Sequence, residues 1–175
     1  PISLYGASKV ACEAFISSFC HMLDFQAWVF RFANIVGPKS RKTGTTVITD
    51  FIHKLRENPK RMHILGDGRQ TKSFLHVDDC VEGMLYLVNH SGDQYNLFNL
   101  SSGDAITIRR LAEIVVEEMG LHHVEFTFDT TPQGWRGDVT KMTLDTTKAT
   151  ALGWRARYDS EQAVRRTVRV LCDRS

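Results

Sequence analysis

What this sequence lacks already excludes several kinds of protein. No apolar stretch approaches the roughly 20 residues of a membrane span, and Pro1-Ile2-Ser3-Leu4-Tyr5 has no signal-peptide layout. Cys12, Cys20, Cys80 and Cys172 form no C-x-x-C pair, and three of them fall in apolar helical patterns, where a free thiol packs as a small hydrophobe. All four are expected to be reduced, and the protein soluble and cytoplasmic. Seven histidines without H-E-x-x-H or a cluster argue against a bound metal such as zinc. A net charge of +2, with no basic run, leaves no electrostatic footprint for nucleic acid or an anionic membrane. Twelve glycines and four prolines suffice only for scattered turns, so the chain is not low-complexity, and no fixed-period repeat suggests a solenoid. G-x-G-x-x-G is also missing, because Gly66-Asp67-Gly68 continues as Arg69-Gln70-Thr71.

What remains is the composition of a globular domain, 42% apolar and 24% charged, long enough for a sizeable core. Apolar residues from Tyr5 to Leu23 fall on two helical stripes, predicting a helix buried around most of its circumference. Trp28 to Ala33 is a strand-like run. Val47, Ile48, Phe51, Ile52 and Leu55 mark a helix stopped by Asn58-Pro59, and Met62 to Leu65 a strand entering the Gly66-Asp67-Gly68 turn. Ser73 to Val77 is extended. Asp78 and Asp79 then open a helix whose apolar face is Val81, Met84, Leu85 and Val88, their charge suiting its dipole. Tyr95 to Leu100 reads as a strand. Thr107 caps a helix carrying Ile108, Leu111, Ala112, Val115, Val116 and Met119, which stops at Gly120. A strand at Val124 to Phe128, a Gly-rich loop from Pro132 to Gly137 and a helix with Ala163, Val164, Thr167, Val168 and Leu171 complete an alternating α/β pattern.

Tyr5-Gly6-Ala7-Ser8-Lys9 is a Y-x-x-x-K on the first helix. Residues four apart share a helix face, and a neighbouring ammonium favours a phenolate, so the pair suits proton transfer to or from a sugar hydroxyl. With it, the chain resembles the extended short-chain dehydrogenase/reductases that act on nucleotide sugars. The resemblance extends through Arg31-Phe32-Ala33-Asn34-Ile35-Val36-Gly37-Pro38, similar to R-x-x-N-x-x-G-P, and through Gly66 to Asp79, similar to G-D-G-x-Q-x-R-D-F-x-x-V-x-D. Trp135-Arg136-Gly137-Asp138-Val139 and Leu152-Gly153-Trp154 look like the closing segment.

That resemblance implies α/β architecture: the C-terminal part of a Rossmann-type NAD-binding domain (residues 1–45, with the catalytic helix) and a small substrate domain (mainly 46–175, elements interleaved). The N-terminal glycine-rich half would be absent. It implies Tyr5 as catalytic acid/base, Lys9 as its partner on the nicotinamide ribose, and the Ala33 backbone beside the nicotinamide. Asn34, Lys72 and Arg136 would serve the substrate diphosphate, Asp138 would bind the substrate as well, Thr46 and Val47 at a helix start would hold the nucleotide, and Met62, His63 and Ile64 the uracil edge. Two departures stand out: Lys72-Ser73 replaces Arg-Asp, losing the planar bidentate fork, and Trp135 fills an expected arginine slot. The implied function is NAD-dependent epimerisation of a UDP-sugar at C4. The alternatives are a UDP-sugar-binding module without turnover, or part of a UDP-glucuronate decarboxylase or sugar-nucleotide dehydratase. Association as a homodimer, or with a first half, is expected.

Overall fold

A computed structural model describes residues 1–38, 46–134 and 139–173. Ser3 caps α1 (Leu4–Leu23) by accepting the Gly6 N–H at 3.1 Å, and Asp24 ends the helix in the left-handed region. β1 (Ala27–Phe32) and β2 (Asn34–Val36) follow. α2 (Val47–Glu57) begins with a capping box, in which Thr46 and Thr49 each accept the other's backbone N–H. β3 (Arg61–Ile64), β4 (Thr71–Lys72) and β5 (Phe74–His76) lead into α3 (Val77–His90). Then come β6 (Tyr95–Leu100), β7 (Ile106–Thr107), α4 (Ile108–Glu118), β8 (Glu125–Phe128), α5 (Thr147–Ala151) and α6 (Ser160–Asp173).

β1 pairs with β6 in parallel over six residues, from Ala27 opposite Tyr95 to Phe32 opposite Leu100. The pairs β2–β5 and β3–β8 are also parallel, and among the described strands β4–β7 alone is antiparallel. Parallel neighbours need long crossovers, which accounts for the interleaving of helices and strands. Short strands such as β4 and β7 lack the length to show a period of two, and the five residues of α5 show no helical period; none of the three was legible from the pattern.

Two cores result. One gathers Ile48, Phe51 and Leu55 of α2, Met62 and Ile64 of β3, Leu111 and Val115 of α4, and Val164 and Val168 of α6. The other gathers Ala33, Leu75, Cys80, Leu87, Phe98, Leu100 and Trp154. β5 serves both, with Phe74 in the first and Leu75 in the second, as alternation along a strand requires. α4 and α6 are also laced by charge: Arg110 donates to Glu117 and Glu161, Arg165 to Glu118 and Glu161, and Arg169 to Glu118. Arg110 and then Arg165 hold the Glu161 carboxyl down to about 2.

The expected burial of α1 is corrected: only Cys20 is buried, while Leu4, Phe15, Met22 and Leu23 are exposed. On α3, of the apolar face read from the sequence, Val81, Leu85 and Val88 are exposed and Met84 packs against the second core; the buried residues are Asp79, Cys80, Gly83 and Leu87. Periodicity establishes that a face is apolar and not what covers it. All four cysteines are free, and no helix among the described residues is long and apolar enough to cross a membrane.

Gly83 sets how closely α3 approaches Trp154, since a Cβ there would lie 2.6 Å from the indole atoms Cε2 and Cζ2. Trp154 is 5% exposed and has little room to retreat. Gly83→Ala is therefore expected to destabilise the fold by about 1–3 kcal/mol through overpacking, measured as a lower urea midpoint with an altered tryptophan emission.

Candidate functional site

A cavity of about 1030 Å³ opens on the first core, whose Ile48, Phe51, Ile64, Phe74 and Ile108 are among its lining residues. The lining also includes β2 and the two residues after it, Asn34 to Pro38; the start of α2, with Thr46, Val47 and Asp50; and Leu65, Gln70 and Lys72 beside Ile64 and Phe74. Val77 and Asp78 of α3 close one end, and Thr167 and Leu171 of α6 line the interior. Asn34 is anchored to the Ser73 carbonyl, which accepts its backbone N–H at 3.1 Å and its Nδ2–H at 3.2 Å. Lys72 donates from Nζ to the Val139 carbonyl. The capping box occupies the Thr46 hydroxyl with the Thr49 N–H.

Of the residues anticipated at a substrate site, Asn34, Thr46, Val47, Ile64 and Lys72 are brought together here. Met62 and His63 are not among the lining residues. Met62 is 1% exposed within the first core, and His63 lies on the other side of β3, its Nε2 3.2 Å from Asp129 Oδ1 and its Nδ1 3.2 Å from Thr127 Oγ1. Alternation along β3 was the available signal, since 63 must oppose 62 and 64. Arg136 and Asp138 lie outside the described residues. Asp50, Lys54, Gln70 and Asp78 were missed; Asp50 and Lys54, an ion pair at 2.7 Å, carried a legible i,i+4 spacing.

Tyr5 and Lys9 form a second locus. Lys9 Nζ lies 5.3 Å from the Tyr5 ring centroid on exposed helix surface. Glu13, one turn further, receives a double hydrogen bond from Arg31 of β1, at 2.8 Å from Nε and 2.5 Å from Nη2, so this arginine straps α1 to the strand that leads to Asn34. The hydrogen bonds from Arg31 hold the Glu13 carboxyl below its ordinary value. Ala33, 5% exposed, donates its N–H to the Leu100 carbonyl at 2.9 Å.

Residues 1–167 match the family model described as GDP-mannose 4,6 dehydratase. The chain belongs to that family. Among its relatives, a UDP-galactose 4-epimerase crystal structure superposes at TM-score 0.85 with 35% identity, covering 99% of this chain and 55% of that one. UDP-glucose 4-epimerase of Thermotoga maritima, solved with UDP-glucose, superposes at 0.82 with 30% identity and the same coverage. The putative UDP-glucose 4-epimerase of Methanocaldococcus jannaschii is 29% identical over 169 residues, 96% of this chain and 53% of that protein. The chain thus spans about half the length of the relatives it matches. They are epimerases and dehydratases of nucleotide sugars, so the resemblance in the motifs is borne out, as is α/β architecture matching part of the Rossmann-like fold.

Immediately before the V-x-D segment, Val77-Asp78-Asp79, stands His76, which is 1% exposed and accepts the Asp78 N–H at 3.3 Å through Nδ1, capping α3. Burial lowers its pKa against the opposing pull of Asp78. The unfolded chain then binds the proton more readily than the native one. Stability from this group is full above about pH 6.5, falls as pH drops through that value, and levels off below the native pKa. Thermal melts from pH 7.5 to 5 are expected to show a decline that His76→Gln flattens.

Proposed function

We propose that the chain is the substrate-binding part of a NAD-dependent nucleotide-sugar epimerase of the UDP-glucose 4-epimerase type. The observation that carries this reading is the convergence of Asn34, the Thr46–Val47 helix start and Lys72 on one cavity. Lys72 brings positive charge, and the N-terminus of α2 adds the positive end of a helix dipole, both suited to a diphosphate. Asn34 keeps one Nδ2–H and its Oδ1 for a ligand, the other N–H being taken by Ser73. Val47, Ile64 and Phe74 offer apolar surface for the nucleoside. Arg136, close in sequence to the lining residue Gly134, would add a second positive charge for the diphosphate, and Asp138 would bind the substrate beside it.

NAD, when bound, supplies the hydride exchange at C4 of the sugar. Tyr5 would accept the C4 hydroxyl proton at its phenolic oxygen and return it, with the Lys9 ammonium stabilising the charge that develops there. Lys9 and the Ala33 backbone would hold the nicotinamide end. The described residues do not fit the pyrophosphate. At the Gly66–Gly68 turn, the Gly66 N–H is taken by the Asp129 carboxylate at 2.9 Å, and the Gln70 Nε2 fills the space beside it. Purified chain is therefore expected to bind UDP, and to bind NAD only weakly without further polypeptide; a micromolar NAD dissociation constant would contradict this.

The reading also covers assembly. The apolar face of α1 and the edge of β1 away from β6 are surfaces that a second copy, or the polypeptide matching the rest of the relatives' length, would cover. Sedimentation is expected to give a dimer or larger species. A clean monomer, with α1 amides protected from hydrogen exchange, would overturn it.

For the chemistry, Tyr5→Phe in the assembled enzyme is expected to lower kcat for UDP-glucose/UDP-galactose interconversion by about 10²–10⁴-fold. Lys72→Ala is expected to raise KM with kcat nearly unchanged, as loss of a contact common to ground and transition states requires. Near-normal turnover by Tyr5→Phe would overturn its role.

A further inference from the structure

Ser73 lies between two cavity residues and faces away from both. Lys72 and Phe74 line the cavity, so alternation sends the Ser73 side chain to the opposite side, where the residue is fully buried. Its Oγ is 2.7 Å from Ser101 Oγ and 3.0 Å from Ser102 Oγ. Ser102 Oγ is 3.0 Å from Ser160 Oγ, and the Ser160 hydroxyl donates to Asp104 Oδ1 at 2.9 Å. Backbone groups complete the cluster. Gly103 N–H donates to Ser101 Oγ at 3.3 Å, Phe74 N–H to Ser160 Oγ at 2.9 Å, and Ser160 N–H to Asp104 Oδ1 at 3.0 Å.

Counting protons gives the cluster a direction. A carboxylate only accepts, so the Ser160 hydroxyl proton goes to Asp104; the Phe74 carbonyl, at 3.5 Å, is the longer and uncharged alternative. Ser102 must then donate to Ser160, Ser73 to Ser102, and Ser101 to Ser73. Four hydroxyl protons serve four contacts, with the Gly103 N–H at the head and Asp104 at the tail.

We propose that this one-way chain makes Ser73 a positioning residue for the cavity, acting as a hydrogen-bond donor. It fixes the strand from behind, so that the Ser73 carbonyl holds Asn34 through both its backbone and side-chain N–H, and Lys72 and Phe74 face the ligand. Only the ligand's identity, UDP, rests on the function proposed above. A carboxylate at position 73 brings no proton, so the same four contacts would share three, and one of them becomes lone pair against lone pair. An amide at position 104 restores the count by keeping its Oδ1 on the Ser160 N–H and turning its Nδ2–H to the Ser160 hydroxyl, so that Ser160 donates to Ser102 and Ser102 to position 73, while Ser101 donates as before.

The test is a double-mutant cycle on the purified protein with Ser73→Asp, Asp104→Asn and the pair, plus Ser73→Ala. The readouts are hydrogen exchange at the Asn34 amide, with Leu111 of α4 as a remote control, and UDP affinity by calorimetry. Ser73→Asp and Ser73→Ala are expected to speed Asn34 exchange and to weaken UDP binding by about tenfold, the scale of one unmade buried hydrogen bond, while Leu111 is unchanged. Asp104→Asn alone is expected to stay near wild type, and the double variant to recover most of the Ser73→Asp loss. Should Ser73→Asp not fold, recovery of folding in the double variant counts as the rescue. A double variant no closer to wild type than Ser73→Asp overturns the proposal, as does unchanged Asn34 exchange in Ser73→Ala. If the wild type binds no UDP, the functional reading fails, while Asn34 exchange across the set still decides the role of Ser73.

Discussion

Everything at the cavity depends on two parallel strand pairings between distant segments. β1 lies beside β6 and β2 beside β5, so the chain between β2 and β5 must leave the sheet and return. That excursion is α2, β3 and β4. It starts after Val36 and comes back at Phe74, which lies opposite Asn34 in the parallel register, and both β2 and the returning residues Lys72 and Phe74 line the cavity. The site is thus built at the point where a crossover opens and closes.

The hydrogen bonds follow the same logic. Asn34 is tied to Ser73 across the β2–β5 junction, and Ser73 is tied by its hydroxyl to the 101–104 loop and to the start of α6. Arg31 fastens α1 to the strand preceding Asn34. Asp79, 2% exposed, accepts the N–H groups of Arg157 and Tyr158 together with the Arg157 guanidinium, and so holds the segment before α6 against α3. Buried polar groups therefore sit at the joints between segments, while apolar contacts fill the bodies of the two cores. Such groups stabilise modestly when paired and cost much more when one partner is lost, which makes the joints the sensitive places.

Local pattern revealed much of this and missed a definable remainder. The apolar faces of α2, α4 and α6 were legible because each packs within the chain, so residues such as Phe51, Leu111 and Val164 are buried as their spacing implies. The burial of α1 was misjudged because periodicity shows only that a helix is apolar, and Leu4, Phe15, Met22 and Leu23 stay on the surface; α3 buries Cys80 and Leu87 while Val81, Leu85 and Val88 remain exposed. At the site, Asn34, Thr46, Val47, Ile64 and Lys72 were reached through motif resemblance, whereas His63 was grouped with Ile64 although a strand sends neighbours to opposite sides, and Met62, on the same side as Ile64, is buried in the first core. The serine cluster left no local trace. Its members are 28, 29 and 58 residues apart across the contacts that define it, and no periodicity spans such distances.

The β1–β6 register also has a consequence in time. Ala27 and its partner Tyr95 are separated by 95 − 27 = 68 residues, and contacts of such separation close late in folding. On a ribosome adding about 5–20 residues per second, the strand would wait roughly 3–14 s for its partner to be synthesised. Throughout that interval α1 has only β1 of its downstream chain beside it, held by the Arg31–Glu13 pair, while Leu4, Phe15 and Met22 stay on its surface. A nascent chain of this design carries exposed apolar surface for seconds before its first strand can be paired, the condition under which aggregation competes with folding.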